Sequence, residues 1–210
     1  MSRIVWGRAS SSNVQKVLWA LDELGLDFER IDIGGPHGGR DREDFGALTP
    51  LRLVPVYQGE GLTLWESHAI LRHLVRAHGG VLTAPGLAAA AFADQWMDFI
   101  QTTFQPAMSA VFSQCYRLPP AQREAAALER AVTALDAALD ILEGRLTSVR
   151  WLGGSVFGLA DIAAGAHMHR YQTLDFPRRE RPALDAWIER IAARPGWQAR
   201  VATSYEELRG

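Results

Sequence analysis

Leu53-Val54-Pro55-Val56-Tyr57, a turn at Gly59-Glu60-Gly61, and Leu62-Thr63-Leu64-Trp65-Glu66-Ser67 make up the stretch that decides the fold. It reads as strand, tight turn, strand, then a helix opened by an acid–hydroxyl pair. Proline at the start of a strand removes a ladder donor, so Pro55 marks an edge or a special backbone geometry. Glu66-Ser67 sits where the next helix begins, at Ala69-Ile70-Leu71. A helix start offers free backbone N–H groups to a carboxylate. Together these parts can hold a small extended peptide. Backbone pairs beside the proline, and the helix start supplies a socket for an anion and an amine.

Working outward, Ile4-Val5-Trp6 is a short strand. Val14, Val17, Leu18, Leu21 and Leu24 recur at spacings of three and four and predict a helix, which Gly25 closes as a C′ glycine. Phe28 to Ile33 is a second strand. Strand, helix, strand implies a right-handed crossover and parallel pairing. The loop at 34–39 is turn-rich, and 41–48 forms a short helix. After the hairpin a helix runs from Ser67 to about His78. Residues 79–86 read as an interdomain linker, and no strand signal follows. Phe92, Trp96, Phe99 and Ile100 mark a long helix bent at Pro106. Residues 121–146 are helical, with Leu128, Val132, Leu135, Leu139 and Leu142 on one face. Gly158 to Ile162 opens another helix, Pro182 sits in the first turn of the next, and Pro195-Gly196 stops that one. The fold class expected is α+β: residues 1–78 as a βαβ-ββα domain, 79–86 as linker, and 87–210 as an all-helical domain.

Val54-Pro55 followed by Glu66-Ser67 resembles the glutathione-binding half of the glutathione S-transferase family, and the likeness extends over nearly the whole chain, closest to bacterial theta- and nu-like cytosolic members. The resemblance implies a thioredoxin-like first domain and glutathione as co-substrate. It implies that Pro55 is cis and that Val54 pairs main chain to main chain with the cysteinyl of glutathione, a strand addition by a ligand. It places the γ-glutamyl end on Glu66 and Ser67. The family's helical domain often carries Ser/Thr-x-x-Asp as a cap; here Asp161 is present and the cap position is Gly158, which costs only a few tenths of a kcal/mol relative to Ser or Thr. Asp161 is therefore read as structural. Thr49-Pro50-Leu51-Arg52-Leu53 departs from the family's usual run, and Leu53 cannot supply the cation often placed before Val-Pro. The glycyl carboxylate then falls to Arg52, His37, Arg40 or water.

The resemblance also puts the thiol-activating residue in Ser10-Ser11-Ser12-Asn13. A thiolate, not a thiol, attacks an electrophile. Lowering a free thiol from ~8.5 by about two units takes ~2.7 kcal/mol. One hydrogen bond to a charged sulfur supplies ~1.5–3 kcal/mol and a helix N-terminus ~0.3–2 kcal/mol, so one well-aimed donor suffices. The order of preference is Ser11, then Asn13, then Ser12. The competing reading is that the trio only caps the helix. The resemblance lines the acceptor site with the long helix of the second domain, for which Trp96, Phe99, Phe104, Met108, Phe112 and Tyr116 are candidates, while Tyr116, His167 and Tyr171 are amphipathic enough to face a cleft. An aromatic stripe at helical spacing is more often core. Cys115 reads as a buried small hydrophobe.

Composition sets the outer limits. The 210 residues are 48% hydrophobic and 22% charged, ordinary values for a globular chain able to bury a core. A net charge of −2 gives no electrostatic footprint for nucleic acid or an anionic membrane. One cysteine excludes an intrachain disulfide and a cysteine-based zinc site; His167 and His169 do not share a helix face, so no metal is expected. The first residues carry no apolar signal region and no run is long enough to span a bilayer, which points to the cytoplasm. The expected protein is a homodimeric detoxifying glutathione transferase. A glutathione-dependent disulfide reductase is the nearer alternative, and a non-catalytic adaptor or ligand-binding protein the farther one.

Overall fold

The computed structural model of the chain describes residues 3–84 and 86–210; Met1, Ser2 and Pro85, the last inside the expected linker, lie outside the described residues. The chain divides into two compact units. The first runs to Thr83 and takes back Gly196–Glu207; the second holds Ala84–Pro195 and Leu208–Gly210.

The first unit is built on a four-stranded sheet in the order β2-β1-β3-β4. β1 (Ile4–Trp6) leads through α1 (Ser12–Glu23) to β2 (Glu29–Ile31), which pairs parallel with β1, as a right-handed crossover requires. Gly25 takes a positive φ of 65° after α1. A short 3₁₀ turn at Gly35–His37 and α2 (Glu43–Leu48) follow. β3 (Val56–Gly59) then lies antiparallel to β1 and to β4 (Leu62–Trp65). The two-residue turn puts Glu60 at φ 51° and Gly61 at φ 78°, the pattern that matches strand twist. A glutamate in that conformation is held by partners: Tyr57 Oη donates to it at 2.5 Å and Arg3 Nε pairs with it at 2.9 Å. α3 (Ser67–His78) buries Ile70, Leu71 and Leu74 and packs on α1.

The last stretch of the first unit was expected in the helical domain. Pro195 does not end a helix there: α9 (Pro182–Ala192) stops before it, and Pro195 begins α10 (Pro195–Arg200). Arg200 pairs with Asp22 of α1 at 2.6 Å and lies over the Phe28 ring, while Gly196 meets Trp19, where a Cβ would collide. These contacts join residues nearly the whole chain apart, so no local pattern announces them.

The second unit is helical. Its long helix runs as α4 (Leu87–Phe99), a π-helical turn at Ile100–Phe104, α5 (Gln105–Phe112) and a second π turn at Ser113–Arg117. The first π turn ends just before Pro106, whose missing N–H breaks the regular ladder. α6 (Ala125–Leu146), α7 (Leu159–Gly165), α8 (Met168–Thr173) and α9 complete it. At the start of α7 the Asp161 carboxylate accepts from the backbone N–H of Leu152 at 2.9 Å and of Gly158 at 3.1 Å, and from the Trp187 indole at 2.8 Å. Asp161 is fully buried, and these bonds tie α7 to α9 and to the preceding loop. Among the described residues no helix is long and apolar enough to cross a membrane.

Candidate active site

Three chain segments of the first unit meet in one pocket: the start of α1, the approach to β3, and the junction of β4 with α3. Its lining includes Asn13, Val54, Pro55, Glu66 and Ser67, with Thr49, Leu51, Leu53 and Trp65 completing the wall. The Val54–Pro55 peptide bond is cis. Val54 packs its side chain against the cluster of Ile33, Phe45 and Val56 while it lines the pocket. Gly7, just after β1, lets the chain pass close by: a Cβ there would collide with Val14 and stand 3.1 Å from that of Val54.

Glu66 stands at φ 69°, ψ 112° immediately before α3. A positive φ is costly for a non-glycine residue and clusters at functional sites. Its carbonyl accepts the first helical bond from Ile70 N at 3.0 Å, and Ser67 opens the helix almost fully buried. Ser67 Oγ points at Asn13 Oδ1 from 3.5 Å. The pocket thus joins a carboxylate, a hydroxyl, an amide and the first turn of a twelve-residue helix, a set that can hold the charged end of a small peptide.

Of the three thiol-donor candidates, Asn13 lines the pocket; Ser11 and Ser12 are not in its lining. Ser11 is the residue before α1, 8% exposed, and its hydroxyl does not cap the helix, so the capping alternative is not realised by its side chain. Below the pocket lies Lys16, fully buried. Its Nζ is 3.0 Å from Asn13 Oδ1 and 3.1 Å from His68 Nε2. Burial pushes its pKa down to about 7, against the pull of the Glu66 charge. Sequence reading missed Lys16 and His68, although Lys16 lies three residues from Asn13, the spacing of side chains on one helix face.

Other expected residues lie elsewhere. Arg52, at φ 50°, turns its guanidinium to the backbone carbonyls of Arg40 and Arg42, both at 2.9 Å, so it clamps the preceding loop and is absent from the pocket wall. His37 faces Asp32 at 3.7 Å and Glu207 at 3.5 Å in a separate cleft. The exposed Arg40 is likewise not in the lining.

The proposed acceptor residues are in the interior of the helical unit. Phe104, Met108, Phe112, Tyr116 and Tyr171 are all buried. Phe104 meets His167 edge-on, Phe112 stacks on Tyr116 under the Arg170 guanidinium at 4.3 Å, and Tyr171 packs on Phe176. The stripe read as a cleft wall is packing, the usual fate of aromatics at helical spacing. Burial pushes the half-buried Cys115 thiol up, away from reactivity. Among the described residues no group of histidines, cysteines and acids could hold a metal ion.

Comparison with known proteins bears on the same two units. Residues 10–77 match the model of the glutathione S-transferase N-terminal domain and residues 104–195 that of the C-terminal domain. Glutathione S-transferase GstB of Escherichia coli K12 is 34% identical over 194 residues, covering 91% of this chain and 93% of that one. Glutathione S-transferase 4 of Zea mays is 32% identical, covering 91% and 88%. The crystal structure of a theta class glutathione S-transferase from Xanthomonas axonopodis pv. citri, with glutathione bound, superposes with a TM-score of 0.93 at 34% identity over 97% of this chain and 98% of that one. With both domain models matched in order and relatives aligned nearly end to end, this chain belongs to the glutathione S-transferase family.

Proposed function

We propose that the protein is a glutathione transferase whose pocket at the start of α1 and α3 holds glutathione and presents its sulfur as a thiolate to a small electrophile. The observation that carries the reading is the convergence of Asn13, Val54, Glu66 and Ser67 on one pocket in a chain of this family. Val54 pairs through its backbone with the cysteinyl unit. Glu66 takes the γ-glutamyl amine, and Ser67 with the first N–H groups of α3 takes its carboxylate. Asn13, and Ser11 beside it, donate to the sulfur. The thiolate then forms the new carbon–sulfur bond: in a substitution the leaving group departs with the electron pair of its broken bond, and in an addition the displaced π pair takes up a proton. No protein cysteine takes part. The mobile charge is the thiol proton, released as the donors stabilise sulfur.

The same reading makes the working protein a cytoplasmic homodimer; exposed Leu62 on β4 and Phe92 on α4 are the kind of apolar surface that a second copy covers. Calorimetric titration with reduced glutathione and glutathione disulfide in parallel tests the proposal. Saturable binding of the reduced form at one site per chain is expected. A clear preference for the disulfide moves the reading to disulfide reduction, and binding of neither removes the enzymatic claim.

A further inference from the structure

A buried cation lies beside the pocket and has no part in the mechanism above. Lys16 is the chain's only lysine and is wholly buried. An ammonium taken out of water must be compensated by charge and hydrogen bonds, whereas a methionine of similar length would fill the space without that penalty. The compensation here is specific. Nζ faces Asn13 Oδ1 at 3.0 Å and His68 Nε2 at 3.1 Å, and the Glu66 charge favours its protonated form. An ammonium only donates, so the Asn13 atom it faces is the amide oxygen. Ser67 Oγ approaches the same oxygen. The amide nitrogen of Asn13 has no hydrogen-bond partner among the described residues, and Asn13 lines the pocket.

We infer that Lys16 is a positioning residue of the site: it holds the Asn13 amide with its oxygen inward and its NH₂ toward the ligand sulfur, and its buried charge favours an anionic sulfur there. The inference rests on the reading of the pocket as a glutathione site. Its parts come from three places in the sequence. Asn13 and Lys16 stand one turn apart on α1. His68, on α3, accepts from Lys16 through Nε2, which leaves its ring proton on Nδ1. Glu66, at the start of α3, supplies the negative charge. His68 and Glu66 are the titratable groups that face the Lys16 ammonium from α3 and its entry, and β1 brings none to it. Substituting asparagine by a hydroxyl would keep a donor but lose the rule that orients it, since a hydroxyl rotates freely.

Linkage makes the inference measurable from both ends, because whatever Lys16 does to the thiol the thiolate does to Lys16. With one lysine in the chain, isotope-labelled lysine gives a single side-chain NMR signal to follow against pH in the full-length protein. We expect glutathione to raise the proton affinity of Lys16 about tenfold over that seen with S-methylglutathione, one pKa unit, because only the former binds as a thiolate. Lys16→Met should raise the pKa of the bound thiol by a similar amount, read from thiolate ultraviolet absorbance, and Lys16→Arg should keep it low. The NMR comparison uses wild-type protein, so a variant that fails to fold does not remove the test. Identical Lys16 titrations with the two ligands overturn the inference while leaving the glutathione site in place. If neither ligand binds, the glutathione reading fails and this inference falls with it.

Discussion

Replacing Asp161 by alanine should destabilise the helical unit more than any single change at the glutathione pocket. The carboxylate is fully buried and receives three N–H donors, from Leu152, Gly158 and Trp187. Alanine strands all three. Each buried orphan costs ~1–3 kcal/mol, and relief from burying a charge offsets part of the sum, so a net loss of about 4 kcal/mol is expected. Burial also pushes the Asp161 pKa up to about 6. Between its unfolded value of ~3.9 and 6 the folded protein holds a proton that the unfolded chain has lost, so this group's contribution is full below pH ~4 and falls as pH rises through 6. Two pKa units correspond to ~3 kcal/mol. Asp161→Asn cannot titrate and should flatten that part of the stability–pH curve. The assay is urea unfolding followed by tryptophan fluorescence at several pH values, with the m-value checked for a change in cooperativity. A loss below about 1 kcal/mol for Asp161→Ala, or an unchanged pH slope in Asp161→Asn, would show that Asp161 does not hold the start of α7 in this way.

Three further outcomes follow from named contacts. Ser67→Ala removes a hydroxyl that would bond a charged ligand group, so calorimetry should record glutathione binding weakened by ~1.5–3 kcal/mol with the melting temperature nearly unchanged. Arg52→Met releases the carbonyls of Arg40 and Arg42; hydrogen exchange should speed up across 34–42 while glutathione affinity stays within about threefold, under 1 kcal/mol. Arg181, buried between Asp136 and Asp140 at 2.7 Å each, ties α9 to α6. Arg181→Met leaves the buried Asp136 with only the exposed Arg179 as a cationic partner, at 3.2 Å, and should cost ~2–3 kcal/mol in denaturant unfolding, less than breaking an isolated buried pair because Arg179 remains and Asp140 is half exposed.

The parts of this protein that were readable in advance are those fixed by local chemistry. The helix beginning at Ser67 and the β3–β4 hairpin follow from residue types and spacings within a few positions, and the Asn13, Val54, Glu66 and Ser67 constellation follows from family resemblance attached to them. What stayed hidden depends on partners distant in sequence. Lys16 reads as a polar residue on an amphipathic helix until His68, 52 positions later, closes over it. Arg52 looks like an available cation until its positive φ turns it onto the loop carbonyls. Gly196–Glu207 looks like a tail of the helical domain until Asp22 and Trp19 claim it. The stripe from Phe104 to Tyr116 admits two readings in sequence, core and cleft wall, and its side chains are buried, as aromatics at helical spacing usually are.

The most direct test of the account is the pKa of the glutathione thiol bound to the wild-type protein, to Ser11→Ala and to Asn13→Ala, read from thiolate absorbance against pH. The account predicts a wild-type value about two units below the free thiol's ~8.5, and recovery of about one unit or more when the dominant donor is removed. A bound thiol that titrates like the free one, or a lowered value that neither substitution changes, would contradict it.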